Sequence, residues 1–176
     1  IDAPIDFPIK SGADMATYKA PDPTLPGRMR DIEKALEMTQ GEIAVLGGAA
    51  GPFTNAWMML GPKYLFECIY DDSDLVKECF RLSNQFNLEA AKIMIAGGVD
   101  AIIVSDDFGH SSAGFIRPSQ FRELVLPYFA ELVELIVGLG KPVMLHSCGH
   151  IKPYLDDLVE TGISGYHPLQ RTAGMD

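Results

Sequence analysis

A histidine and a cysteine stand two residues apart at the end of a hydrophobic run, in PVMLHSCGH (142–150). Successive side chains of a β-strand point to opposite faces, so His146 and Cys148 share one face while Ser147 points away. A catalytic zinc site commonly uses three protein ligands of the His, Cys or carboxylate type and keeps one position open. His146 and Cys148 are therefore candidates for two metal ligands, although isolated His and Cys residues near a strand end also serve in packing or hydrogen bonding.

Two carboxylates follow a second apolar run, in VDAIIVSDD (99–107). One of Asp106 and Asp107 can orient a substrate, hold a histidine or act as an acid, while the other caps a loop or helix; strand-end aspartates also serve as plain turn residues. His110 follows in a loop and can reach the same place, although a solvated loop histidine is the simpler interpretation. Asp106, Asp107 and His110 are the catalytic candidates.

Three further residues are candidates for cofactor or ligand binding. Thr54 and Asn55 lie in GGAAGPFTNAW (47–57), where the glycines allow the backbone to turn after a strand. Helix capping by Thr54 is an equally simple interpretation. His167 stands at the end of the last predicted strand, directly before Pro168.

Buried strands alternate with helices along the chain, and this order is typical of βαβ units with a parallel sheet. The predicted strands are 42–48, 99–107, 141–147 and 163–170, and the predicted helices are 28–40, 51–60, 63–71, 73–96, 118–138 with a kink at Pro127, and 151–162. Polar residues collect just after each strand, as they do at the C-terminal rim of a (β/α)8 TIM barrel. A flavodoxin-like open sheet is the alternative, but no glycine-rich phosphate loop directly follows a strand.

The length of the chain predicts an incomplete barrel. A complete barrel takes about 250 residues, so 176 residues with four strands cover about half of one, the central portion. Other chain segments or a second copy must then close the strand edges, which leaves a homo-oligomer possible. Residues 1–26, with five prolines, are expected to form an extended arm, and residues 27–176 the partial barrel.

Composition excludes several classes of protein. With 47% hydrophobic residues, a net charge of −10 and a pI of about 4.7, the chain is expected to be globular and not to bind nucleic acid. Three cysteines favour a reducing cytoplasm, and Cys68 and Cys79 fall in predicted helices as buried structural residues. The uncharged run 43–62 contains glycines and prolines, so turns explain it better than a membrane span.

Several segments resemble the uroporphyrinogen decarboxylase superfamily, over nearly the whole chain from about Gly27. They are GPFTNAW (51–57), GVDAIIVSDDFG (98–109), RPSQFRELVLPYF (117–129), GKPVMLHSCGHIKPYLDDLVETGISGYHPLQ (140–170) and AGMD (173–176). The resemblance implies a (β/α)8 barrel with its active site at the C-terminal rim, in members considerably longer than this chain on both sides.

Within the superfamily, the resemblance is to the corrinoid-linked methyltransferase branch. That branch carries H-x-C followed much later by another cysteine, together binding zinc, so His146 and Cys148 would be the first two ligands and the third would lie beyond Asp176. The implied enzyme is a zinc-dependent methyltransferase, with a separate corrinoid protein as partner and a small-molecule thiol or folate as methyl acceptor.

Two alternatives remain. The porphyrinogen decarboxylases of the superfamily need no cofactor and use an N-terminal arginine-rich motif and a key aspartate, but LHSCGH (145–150) departs from their pattern at this strand. A barrel retained as a non-catalytic module is the second alternative, because a fold does not fix a function.

Overall fold

The computed structural model describes residues 6–176, in which strands and helices alternate. The strands are β1 (Leu46–Ala50), β2 (Ala101–Ser105), β3 (Val143–His146) and β4 (Gly165–His167). The helices are α1 (Gly12–Thr17), α2 (Arg30–Thr39), α3 (Pro52–Leu60), α4 (Pro62–Asp71), α5 (Ser73–Ala96), α6 (Pro118–Gln120), α7 (Leu126–Gly138) and α8 (Leu155–Glu160). A π-helical turn, Phe121–Val125, joins α6 to α7, and 3-10 turns form at Lys152–Tyr154 and Arg171–Ala173.

The four strands of the described residues form one parallel sheet in the order β1-β2-β3-β4, as the alternation of elements predicts. Parallel strands need a long connection to return to the same edge, and the helices supply it. The pairing places Ser105 opposite His146, and His146 opposite His167. The C-terminal ends of β2, β3 and β4 therefore lie side by side, and the segments that follow them share one rim.

The sheet is packed on one face and partly open on the other. Ile102, Val104 and Leu145 are completely buried, whereas Ser105 is exposed and His146 is half-buried. The four strands of the described residues, expected to be buried, are therefore buried on one face. A complete barrel fills its interior with side chains from strands all around it, and four strands cover only part of that interior.

The first strand is Leu46–Ala50, whereas the sequence predicts 42–48. The glycines expected to end the strand lie inside it. Gly47 pairs with Ile102 in the sheet. A Cβ at Gly47 would come within 2.8 Å of the Met94 sulfur on α5 and 2.9 Å of the Ile102 side chain. Glycine thus allows α5 to pack closely against the strand, a role that the local pattern does not reveal.

The N-terminal arm is not extended throughout. Gly12–Thr17 forms the short helix α1, since the Ser11 side chain accepts a hydrogen bond from the Asp14 backbone and caps it. Ile9 is completely buried, and its N–H donates to the Met59 carbonyl of α3 at 3.1 Å. Residues 1–5 of the predicted arm lie outside the described residues.

The irregularity predicted at Pro127 occurs one turn earlier, as a π-turn. The Leu126 N–H donates to the Phe121 carbonyl, five residues back, and Pro127 has no N–H to continue the ordinary ladder.

No helix among residues 6–176 combines the length and the apolar character that a bilayer crossing requires.

Candidate metal centre

His146 and Cys148 converge at the rim. The Cys148 Sγ lies 3.5 Å from the His146 Nε2. Ser147, between them, is completely buried, and its hydroxyl accepts the Phe108 N–H at 3.0 Å. The alternation that β3 begins therefore continues past its end, and it holds the imidazole and the thiol on the same side.

The Asp107 carboxylate faces the same space. Its Oδ1 lies 3.9 Å from the His146 Nε2 and accepts the Cys148 backbone N–H at 2.7 Å. Donor atoms of Asp107, His146 and Cys148 all lie within 4.8 Å of one another. The three side chains are partly open to solvent: His146 is 32% exposed and Asp107 is 53% exposed. They form a cluster of one nitrogen, one sulfur and one oxygen donor.

The donor set and the spacing of the His146/Cys148 pair fit zinc. Zinc binds imidazole nitrogen, thiolate sulfur and carboxylate oxygen. Bonds of about 2.3 Å to sulfur and about 2.0 Å to nitrogen, at a tetrahedral angle, separate these two donors by about 3.5 Å. The separation of Sγ and Nε2 is 3.5 Å, so the spacing of this pair fits two ligands of one ion.

Burial and charge act together on the thiol. Burial raises the pKa of the Cys148 thiol, and the neighbouring Asp107 carboxylate raises it further because two negative charges repel. Burial is also the main cause of the raised pKa of the Tyr166 phenol, followed by Cys148 and Asp107. Without a cation the cluster therefore disfavours the thiolate that metal binding requires.

Asp106 points the other way, into the protein. It is completely buried, and its two carboxylate oxygens accept the Thr54 N–H at 2.6 Å and the Phe53 N–H at 3.3 Å, at the start of α3. Burial raises the pKa of Asp106 to about 7, although these hydrogen bonds from Thr54 and Phe53 oppose the shift. The structure thus places one aspartate of the pair at the first turn of α3 and the other in the donor cluster.

The two candidates on α3 bind other parts of the protein. The Thr54 hydroxyl accepts the Asp107 N–H at 3.2 Å; it does not cap α3, which begins after Gly51. The Asn55 amide donates to the Ala50 carbonyl at 3.1 Å and to the Ser83 hydroxyl at 2.8 Å. Asn55 also lines a cleft between the N-terminal arm and helices α3 and α5. Thr54 is therefore linked to the cluster through Asp107, whereas Asn55 ties β1 to α5.

The histidine candidates lie at different distances from the cluster. The His167 ring meets the His146 ring edge to face, with centroids 4.7 Å apart. His110 is exposed; its ring nitrogen Nδ1 lies 3.0 Å from the Ser111 hydroxyl, and its ring packs against Phe115. It is not part of the three-residue cluster.

Residues that frame the cluster were missed in the sequence. The Tyr166 hydroxyl donates to the Ser147 carbonyl at 3.0 Å, and the Gln170 side chain accepts the Gly149 N–H at 2.8 Å. Both hold the segment on either side of Cys148. Their position in the fourth predicted strand, 163–170, is the one available signal, because consecutive strands most often lie side by side.

Comparison with known proteins yields two groups of curated relatives. The methylcobamide:CoM methyltransferase MtaA of Methanosarcina barkeri is 23% identical over 141 residues, which cover 80% of this chain and 40% of MtaA. MtbA of Methanosarcina mazei, another methylcobamide:CoM methyltransferase, is 28% identical over 149 residues, covering 82% of this chain and 43% of MtbA. A uroporphyrinogen decarboxylase of Mycolicibacterium gilvum is 26% identical over 185 aligned positions, covering 98% of this chain and 48% of the decarboxylase.

The solved structure of a methyltransferase from Methanosarcina mazei superposes with a TM-score of 0.76 at 19% identity, covering 96% of this chain and 51% of that one. The fold is therefore about half of a TIM barrel, as the sequence predicts. The chain spans about half the length of the relatives it matches. The sequence profile of the uroporphyrinogen decarboxylase (URO-D) family matches residues 3–172, and the chain belongs to this family.

Proposed function

We propose that this protein is a zinc-dependent methyltransferase that moves a methyl group between a corrinoid protein and a thiol or folate acceptor. The observation that carries the proposal is the 3.5 Å separation of His146 Nε2 and Cys148 Sγ at an accessible rim. That separation matches two ligands of one tetrahedral ion, about 3.5 Å apart. The same separation also fits a hydrogen bond between the thiol and the imidazole, and measurement of metal content distinguishes the two.

The relatives support the same class of reaction. MtaA and MtbA are named methylcobamide:CoM methyltransferases, so in those proteins the methyl group passes between a cobamide and a thiol. Their aligned parts include about four fifths of this chain. The corrinoid partner and the small-molecule acceptor are accordingly part of the proposal for this chain.

The residues of this chain have distinct tasks in the proposal. His146 and Cys148 hold the ion, and zinc, when bound there, would supply the positive charge that keeps an acceptor thiol ionised at neutral pH. Asp107 fixes the Cys148 backbone through its hydrogen bond. The ring of His167 packs against that of His146 and limits its rotation. Asp106 and Thr54 fix α3 and the loop after β2.

The transfer moves a methyl cation equivalent. The acceptor sulfur forms the new bond to the methyl carbon with its own electron pair, as the bond between that carbon and cobalt breaks and leaves its electron pair on the metal. A folate acceptor would need a proton on its nitrogen as well. A corrinoid protein would have to dock at this rim to bring its methyl group to the space that His146 and Cys148 face.

Decarboxylation of a porphyrinogen is the second candidate, because the Mycolicibacterium gilvum decarboxylase aligns with 98% of this chain. The difficulty in that reaction is to protonate a pyrrole and stabilise the charge that develops, which needs no metal. It does not use the cluster of metal-binding atom types that Asp107, His146 and Cys148 form, and methyl transfer is therefore preferred.

The test uses the full-length protein loaded with zinc, methylcobalamin as donor and coenzyme M or another small thiol as acceptor. Demethylation of the cobalamin is followed by its visible absorption. His146→Ala and Cys148→Ser are expected to reduce the rate at least about 100-fold, because even residues that only support a metal ligand cost 10–100-fold. The matched control is Cys79→Ala, since Cys79 is buried in α5 away from the rim and should leave the rate unchanged.

The rival reactions give opposite results. Release of carbon dioxide from uroporphyrinogen by zinc-free protein, undiminished in Cys148→Ser, would overturn the methyltransferase proposal in favour of decarboxylation. Absence of both activities in zinc-loaded full-length protein, with methylated corrinoid proteins also tried as donors, would overturn both and favour a non-catalytic barrel.

A further inference from the structure

The side chain of His150 reaches from the loop after β3 to the loop after β4. Its Nδ1 lies 2.8 Å from the Ala173 carbonyl oxygen. A carbonyl oxygen only accepts hydrogen bonds, so Nδ1 carries a proton and donates it. Ala173 belongs to the 3-10 turn Arg171–Ala173 and is 3% exposed. The imidazole, which is half-buried, therefore fastens this turn to the chain two residues after Cys148.

The backbone of His150 is bound to the loop on the other side. Its N–H donates to the His110 carbonyl at 2.7 Å, in the loop after β2. The two backbones approach closely at this point, because a Cβ at Gly109 would lie only 2.7 Å from the His150 nitrogen. His150 thus lies between the loops that follow β2 and β4, and it is hydrogen-bonded to both.

Gly149, the residue between Cys148 and His150, is held by the same turn. Its N–H donates to the side-chain oxygen of Gln170 at 2.8 Å. Gln170 directly precedes the turn, and its own carbonyl accepts the Ala173 N–H at 2.8 Å. The bond between Ala173 and the His150 ring then leads back to the loop after β3. The three hydrogen bonds form a closed ring, so each one restricts the movement of the atoms that the other two join.

The position of Cys148 depends on these contacts between loops. β3 ends at His146, so Cys148 stands beyond the regular part of the strand. Its own N–H is accepted by the Asp107 carboxylate. The N–H groups of the next two residues are accepted by Gln170 and by the His110 carbonyl. All three N–H groups are therefore held by neighbouring loops, and a change in either loop is transmitted to the backbone that carries the sulfur.

We infer that His150 is a positioning residue of the metal centre, which holds the Cys148 sulfur in place through the turn after β4. The inference rests on the proposed function, because it takes Cys148 as a ligand. The Nδ1–H bond keeps Ala173 and Gln170 in position, and Gln170 in turn holds the backbone beside Cys148. His150 acts on the ligand through these bonds and not by contact with the ion. Partners that orient a metal ligand typically contribute about 10–100-fold to metal affinity.

The test separates the Nδ1–H donor from the space that the ring fills. Asparagine carries an N–H donor at nearly the position of Nδ1, whereas leucine has the same branching and no donor. The full-length protein, His150→Asn and His150→Leu are titrated with Zn²⁺ against a chromophoric chelator, and with Co²⁺ by visible absorption. We expect His150→Leu to bind zinc about 10–100-fold more weakly than His150→Asn, with a changed cobalt spectrum. The control is Lys152→Ala, which alters an exposed side chain nearby and should bind as the unaltered protein does.

Hydrogen exchange of the zinc-free protein gives a second measurement, which does not depend on the metal. The backbone of residues 170–174 should exchange faster in His150→Leu than in His150→Asn, and equal exchange would contradict the bond that the inference needs. Zinc affinity in His150→Leu no lower than in His150→Asn, with binding lost in Cys148→Ser, would overturn the positioning role and leave the proposed function standing. Unchanged binding in both His146→Ala and Cys148→Ser would overturn the metal centre itself, and with it this inference.

Discussion

The Asp107 carboxylate accepts the backbone N–H of Cys148 at 2.7 Å, across the gap between the loops that follow β2 and β3. A hydrogen bond to a charged acceptor contributes about 1.5–3 kcal/mol, so it holds the Cys148 loop in a definite place. The same carboxylate faces the sulfur and the imidazole. Asp107 thus both holds the Cys148 backbone and places a carboxylate beside the donor atoms of His146 and Cys148.

Thr54→Val should weaken zinc binding about 10–100-fold, the usual effect of removing a group that supports a ligand. Valine has nearly the same shape but no oxygen to accept the Asp107 N–H, so the Asp107 backbone loses its anchor. The measurement is zinc competition with a chelator. Thr54→Ser keeps the hydroxyl and should bind nearly normally; zinc binding as weak in Thr54→Ser as in Thr54→Val would contradict the role of the hydroxyl.

Asp106→Asn should lower the free energy of unfolding by about 1–3 kcal/mol, measured by urea denaturation. The Asp106 carboxylate accepts two backbone N–H groups of α3, and an amide has one oxygen for two donors. The exposed Asp156→Asn should change stability by less than about 0.5 kcal/mol. A variant at Asp106 as stable as the one at Asp156 would contradict the role of Asp106 in holding α3.

Gly149→Ala should cost more than about 2 kcal/mol of stability and should also weaken zinc binding, because Gly149 follows Cys148 directly. Gly149 has φ +82°, and an added Cβ would overlap the Gly109 carbonyl in the neighbouring loop. Gly138→Ala is the control: it lies at the end of α7 with no atom within 4 Å of the added Cβ. Urea denaturation of both variants checks the difference, and equal stabilities would show that the two loops do not cross this closely.

Cys148 should be the fastest of this chain's three thiols to react with iodoacetamide at alkaline pH, and bound zinc should protect it. Cys148 is half-buried, whereas Cys68 is 3% exposed and Cys79 is completely buried. Alkaline conditions are needed because burial raises the pKa of all three thiols, that of Cys79 to about 12. Peptide mapping by mass spectrometry identifies the modified residue. Comparable labelling of Cys79 in the native protein would contradict the buried position of α5.

Much of the architecture was predictable from the sequence because it depends on local periodicity. The helix predicted at 63–71 is observed as Pro62–Asp71, and the one at 73–96 as Ser73–Ala96. The parallel order of the strands follows from their alternation with helices. The start of β1 was not predictable, since Gly47 is required by the close approach of Met94 and not by a turn. Contact between segments far apart in the chain leaves no trace in a local pattern.

The candidate metal centre was likewise only partly predictable from the sequence. The sequence by itself determined that His146 and Cys148 share a face, because the alternation of a strand is a property of the backbone. It also brought Asp106 and Asp107 to a strand end, but their separate roles were decided only in the folded protein. Adjacent residues point in opposite directions, and which one enters the protein depends on where α3 presents its free N–H groups. Helix α3 buries Asp106, and this leaves Asp107 at the rim beside the sulfur and the imidazole.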